Sequence, residues 1–264
     1  MLAKRIITAG ILIPVVILGI FYLPSASFSL AIAIILSLAA WEWSVLVGID
    51  KIWQRILYIG LLWWGFAISQ LVSIKLILGL SFIWWLLVFY FSLQYPKVNK
   101  NFFTGWPSCL VSFLVFVPCL AAISTLHRMA PIYVLFVFGL IWAADSGAYF
   151  IGKSFGKRKL AFKISPGKTV EGLVGGLLFA FIVALIFALI AQLPLAKWLW
   201  WTGLVLVTVL FSVLGDLFES MLKRQANVKD SGCWVPGHGG ILDRIDSLTA
   251  AVPIFTLGLL WLVN

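Results

Sequence analysis

Between Gly215 and Ser247 the chain gathers five of its nine acidic residues, Asp216, Glu219, Asp230, Asp243 and Asp246. Lys223, Arg224, Lys229 and Arg244 stand among them, with one of the two histidines, His238. On a helix Asp216, Glu219, Ser220 and Lys223 fall at i, i+3, i+4 and i+7 and share one face. A solvated helix end would explain that face by itself. Asp243 and Asp246, however, form a second i, i+3 pair, and between the two sets lies Pro236-Gly237-His238-Gly239-Gly240, whose glycines let backbone amides approach a ligand closely. Carboxylates on two helix ends around such a loop make an oxygen-rich site of the kind that hard divalent cations take. His238 reads as a loop hydrogen-bonding group or phosphate contact, or alternatively as a metal ligand.

A second polar segment runs from Gly152 to Glu171. Gly167-Lys168-Thr169 looks like the end of a Walker A loop, but the glycine needed five positions earlier is Phe162 and no strand is expected before it, so it is not a P-loop. The segment predicts a helix start, with Ser165 as N-cap, Pro166 in the first turn, and Lys168 and Glu171 on one side. A helix N-terminus beside a lysine suits phosphate. Lys157, Arg158 and Lys159 read as an ordinary basic loop, whereas Gly172 and Gly176 have the spacing of a close helix contact. Two more acids lie within apolar runs, where a carboxylate needs a partner, a cation or a route to water. These are Asp145, before the basic loop, and Glu42, between Trp41 and Trp43, which either faces the bundle interior or snorkels to the surface.

The elements that must position these residues are membrane spans. The 264-residue chain is 63% hydrophobic and 11% charged, with a mean hydropathy of +1.11. That composition excludes a soluble domain and defines an all-α polytopic membrane protein. Nine apolar runs are expected to span, near residues 6–23, 28–47, 56–73, 76–93, 108–126, 131–151, 172–192, 198–217 and 247–263. The third and fourth are separated only weakly, at Ser73 and Lys75, and a re-entrant pair is the alternative there. The first run imitates a signal peptide but is long enough to be a retained helix. With a cytoplasmic N-terminus, sixteen Lys and Arg fall inside, from Lys4 and Arg5 through Lys51, Arg55, Lys97 and Lys100 to the two polar segments, and three, Lys75, Arg128 and Lys197, fall outside. The split follows the positive-inside rule and puts both polar segments in the cytoplasm. The net charge of +10 then faces anionic head groups or an anionic soluble substrate, and no nucleic acid is expected. Residues 1–130 read as N-terminal helices and 131–264 as the region carrying the chemistry, in segments 152–171 and 215–247. Cys109 and Cys119 lie too far apart on one helix to bridge, and Cys233 stands alone. The fourteen tryptophans are those of membrane helices and their interfacial belts.

Ser220-Met221-Leu222-Lys223-Arg224, Lys229-Asp230 and Pro236 through Asp246 resemble the signature of the phosphatidate cytidylyltransferases, with a departure at Val235. Asp145 to Tyr149 and Ser165 to Gly172 are similar to that family's segments too. The resemblance covers about residues 140 to 250. It implies a multi-spanning inner-membrane enzyme, expected as a homodimer, that converts phosphatidic acid and CTP to CDP-diacylglycerol and pyrophosphate with Mg²⁺, a second cation being an option. It implies metal ligation by Asp216 and Asp243, with Asp246 a further candidate. Joining two polyanions requires cations around both. Asp216, Asp243, Asp246, Lys223 and Arg244 are therefore the expected catalytic set. Asp145, Ser165, Lys168, Thr169, Glu171, Arg224, Lys229, His238, Gly239 and Gly240 are the expected substrate contacts. Two alternatives stay open: a CTP-dependent lipid or polyprenol kinase, and a transporter with Asp145 and Glu42 along its path.

Overall fold

The computed structural model describes residues 2–97, 103–234 and 239–263, and within them side chains from Gly10 to Leu262. Lys100, Val235, Pro236, Gly237 and His238 lie outside the described residues, as do the side chains of Lys4 and Arg5. Each apolar run becomes a helix: α1 (Leu2–Tyr22), α2 (Ser25–Leu46), α3 (Ile52–Ser69), α4 (Ile74–Gln94), α5 (Gly105–Met129), α6 (Pro131–Phe155), α7 (Val170–Ile190), α8 (Leu195–Gln225) and α9 (Leu242–Val263). Among the described residues, seven of these, α2 and α4 to α9, are long and apolar enough to cross a membrane. The chain is a polytopic helical membrane protein. The weakly separated third and fourth runs are two full helices, joined by a turn through Gln70 to Ser73.

Helix ends follow local chemistry. Pro131 opens α6 at its first turn, where its missing N–H has no partner to lose. Gly48, at φ +81°, closes α2 with Gly48 and Ile49 donating back to Val45 and Ser44 carbonyls. One start differs from the sequence expectation. Ser165 is not an N-cap and Lys168 is not in a first turn, because Ser165–Thr169 is a strand, β2, paired antiparallel with β1 (Lys159–Ala161). Thr169 caps α7 instead, its Oγ1 accepting from Gly172 N at 3.1 Å. The hairpin is drawn out by its own ends: Val170 N donates to Arg158 O, and the Glu171 carboxylate accepts from the amides of Lys157 and Arg158 at 3.0 and 3.1 Å.

Two apolar clusters fill the bundle. One joins α2, α3, α4 and the first half of α5 to the C-terminal half of α8; the other joins the rest of α5 to α6, α7, and the far halves of α8 and α9. The helix pair α6 and α7 approaches backbone to backbone, since a Cβ on Gly172 or Gly176 would lie 2.9 Å from the carbonyl oxygen of Ala148 or Ala144. Of the tryptophans, Trp43, Trp84, Trp85 and Trp201 are core residues. Cys109 and Cys119 are buried and free on α5, and Cys233 is exposed and free.

Candidate active site

The last turns of α8 organise the charged end of the bundle. Its expected polar face is real, and what orients it is on the opposite side. Phe218 sits among Trp43, Trp84, Trp85 and Phe103, with ring centroids 5.7 to 5.8 Å away. Burying an aromatic ring on this scale is worth a few kcal/mol and fixes the helix rotation. Gly215, one residue before Asp216, removes the Cβ that would strike the Asp246 carbonyl of α9. Hence α8 and α9 cross closely at the acids, and Asp216 and Asp246 come within electrostatic range of one another.

Two lysines divide the acids. Lys168, at the end of β2, reaches Asp216 Oδ2 with its Nζ at 2.7 Å, and the Ser220 hydroxyl donates to Asp216 Oδ1 at 3.3 Å. This pair lines a cavity of about 460 Å³ with Asp145, Tyr149, Lys153 and Gly167. Asp145, on α6, interacts electrostatically with both members of the pair. Lys223 instead bridges Glu219 Oε2 at 2.8 Å and Asp243 Oδ1 at 2.6 Å. The other oxygen of Asp243, Oδ2, accepts from Ser231 N, Ser231 Oγ and Gly240 N at 2.9, 3.0 and 2.9 Å.

The remaining expected contacts are placed as follows. Arg224 Nε donates to the Ile164 carbonyl at 3.2 Å and ties the hairpin to α8. Ser165 pairs with Ala161 across the hairpin, and Thr169 is buried as the α7 cap. Glu171 is engaged by the two loop amides. Gly239 takes φ +86°, against Asp230 and Asp243. Lys229 and Arg244 are exposed. His238 lies outside the described residues. The structure thus brings Asp145, Lys168 and Asp216 into one cavity, and Lys223, Asp243 and Gly240 into one hydrogen-bonded knot beside it.

Glu42 is the residue that the expected site lacked. It does not snorkel. Only 2% exposed, it accepts from Ile241 N at 3.1 Å and Leu242 N at 2.8 Å, and its Oε2 lies 3.1 Å from Ser231 Oγ, whose one hydroxyl proton also faces Asp243 Oδ2. Its position between two tryptophans on an apolar run was the one sequence signal; its partners, about two hundred positions downstream, left none.

The donor set can be tested against a hard cation. Five carboxylates, Asp145, Asp216, Glu219, Asp243 and Asp246, interact in sequence along this end of the bundle, with two amines, Lys168 and Lys223, between them. Glu219 Oε1 is buried with no donor among the described residues beside it other than the neighbouring acid Asp246, a pair of carboxylates that is costly without a shared proton or a cation. Among the described residues, no three His, Cys, Asp or Glu side chains already converge on a common centre. The oxygens are those that Mg²⁺ takes, and the surplus of negative charge fits a divalent ion.

A membrane-embedded bundle that ends in paired amines and carboxylates, next to a cavity, is the architecture of a protein that handles polyanions at a bilayer surface. This chain belongs to the cytidylyltransferase family, whose model matches residues 3–262. A phosphatidate cytidylyltransferase of Pseudomonas aeruginosa is 42% identical over 280 residues, which cover 99% of this chain and 97% of that protein. The protein of the same name from Haemophilus influenzae is 40% identical over 284 residues, covering 97% of this chain and 98% of its own length. That of Bacillus subtilis is 52% identical over 134 residues, or 50% of this chain and 48% of the relative.

Proposed function

We propose that the chain transfers the cytidylyl group of CTP to phosphatidic acid, leaving CDP-diacylglycerol in the membrane and releasing pyrophosphate. One observation carries the reading beyond the family: the cavity holding Lys168 and Asp216 abuts an apolar groove of about 660 Å³, and Leu160, Leu173 and Val213 line both. A polar chamber beside an apolar one suits a substrate with a phosphate at one end and acyl chains at the other. The phosphatidate oxygen attacks the α-phosphorus of CTP, an O–P bond forms, and the bond from that phosphorus to the bridging oxygen of pyrophosphate breaks. No covalent enzyme intermediate is required, because the lipid phosphate is the nucleophile. Lys168 releases Asp216 to meet an incoming phosphate, while Lys223, Arg224 and Arg244 offset the charge of the triphosphate and of pyrophosphate. Mg²⁺, with a second cation as an option, supplies Lewis-acid neutralisation of the phosphates when bound. Asp216 would hold it with Asp246 and Glu219 close by, and Asp243, its oxygens engaged by Lys223, Ser231 and Gly240, would ligate it only in exchange for Lys223.

The membrane arrangement is part of the proposal. We place the N-terminus in the cytoplasm of a cell with nine crossings of its inner membrane, as the sixteen-to-three charge split supports. Helix α8 has 31 residues, about 46 Å at 1.5 Å each, against a hydrocarbon core of about 30 Å. Its last turns therefore stand at head-group level, where CTP arrives from water and phosphatidate keeps its tails in lipid. Native Cys233 tests the orientation, since the other two cysteines are buried. A membrane-impermeant thiol reagent applied to intact cells should spare Cys233 and modify a cysteine placed at Lys197; modification of Cys233 from outside would overturn the topology. A homodimer belongs to the same reading and is checked by the mass of the detergent-solubilised protein.

The reaction is tested with purified protein, phosphatidic acid and CTP labelled at the α or the γ phosphate. Label from the α position should enter lipid. Entry of γ label instead would make the chain a CTP-dependent lipid kinase.

A further inference from the structure

We propose that Glu42 is a positioning residue for this reaction, acting on Asp243 and Lys223 through Ser231 from a helix that carries none of the expected catalytic groups. The inference rests on the cytidylyl-transfer reading above. A carboxylate that is 2% exposed is tolerated in a protein interior only when its oxygens are matched by donors. Glu42 finds two full donors, Ile241 N and Leu242 N at 3.1 and 2.8 Å, and a share of a third, the Ser231 hydroxyl at 3.1 Å. The two amide donors open α9, so the negative charge also lies at the favourable end of that helix.

The surroundings are shaped to this contact. Gly232 and Gly240 both lie so close that a Cβ on either would run into the Glu42 carboxylate. Gly240 N and Ser231 N and Oγ in turn donate to Asp243 Oδ2. Ser231 Oγ therefore stands between two carboxylates, 3.1 Å from Glu42 Oε2 and 3.0 Å from Asp243 Oδ2, sharing one proton between them. Ser231 N donates to Asp243 Oδ2 and Asp243 N to Ser231 Oγ, and Asp243 holds Lys223 through its other oxygen. The order Glu42, Ser231, Asp243, Lys223 is an unbroken line from the interior of α2 to the amine of α8. An arrangement needed only to cap α9 would require the two amide bonds and not the shared serine.

Glu42→Gln keeps the shape and replaces one acceptor oxygen with an N–H₂ group facing N–H donors. Its kcat should fall about 10- to 100-fold, the range for a small displacement of reacting groups, with KM for CTP and phosphatidate within about twofold of wild type. Glu42→Asp should recover part of that loss. The double variant Glu42→Gln, Ser231→Ala should be no slower than the slower single variant, because both cut the same line. Wild-type kcat in Glu42→Gln, or losses that multiply in the double variant, would overturn the proposal. If Glu42→Gln does not accumulate as folded protein, Gly232→Ala approaches the contact from the other side, and wild-type kcat in that variant would overturn it equally. Absence of α-label transfer by the wild-type enzyme would instead refute the reaction itself.

Discussion

Two lysine–aspartate pairs ride on one face of α8, and they differ in nearly everything but charge. Lys168 and Asp216 have side chains 24% and 34% exposed and line an open cavity. Lys223 and Asp243 are 15% and 5% exposed, and every oxygen of Asp243 is occupied by an amine, an amide or a hydroxyl. A partly exposed pair is worth about 0–1 kcal/mol, so an incoming phosphate can displace it at small expense. Removing one member of a buried pair leaves an uncompensated charge and costs about 3–5 kcal/mol. The same two residue types thus make an exchangeable contact in one place and a brace in the other.

The contrast breaks most sharply at Lys223. Lys223→Met leaves Glu219 and Asp243 buried without their cation, and should destabilise the protein by about 3–5 kcal/mol while abolishing turnover; unchanged thermal unfolding in detergent would show that the knot is not a brace. Asp216→Asn comes next. It should lower kcat about 10²- to 10³-fold, the scale for one preorganised electrostatic group, while the unfolding midpoint stays with the wild type. A midpoint that falls as far as that of Lys223→Met would erase the distinction between the pairs. Lys168→Met should raise KM for CTP or lower the rate about tenfold, the worth of one charge-assisted hydrogen bond. Lys159→Met, exposed in β1, should change neither. If the last two variants behave alike, the 152–171 segment is only a topogenic basic loop.

Much of this arrangement was legible because it is periodic. The nine runs became nine helices, the 216/219/220/223 face lies where helical spacing puts it, and the Gly172 and Gly176 spacing is a real backbone contact. What escaped was non-periodic or long-range. Ser165 to Thr169 contains a proline and a glycine, which argue against a strand, and nothing local announces that Lys159 will pair with Thr169. The acids looked like a shared site, but their spacing does not say which will be neutralised by lysine and which by amides. The partners of Glu42 lie 189 to 200 positions away. Phe218 gave no signal either, because an aromatic next to an acid on an amphipathic helix is ordinary until four other rings close around it.

Helix α8 runs unbroken through the site, with no proline or glycine between Asp216 and Lys223. Those seven residues set the two positions roughly 10 Å apart along the axis, and the ring cluster around Phe218 fixes their rotation. Neither can move relative to the other without unwinding a packed helix. The Lys223–Asp243 brace ties the start of α9 to this fixed rail, so any rearrangement during turnover falls to the β1–β2 hairpin, which brings the exchangeable Lys168 to Asp216. The enzyme thus has a stationary part, α8 braced to α9, and an adjustable one, the hairpin that precedes α7 in the chain.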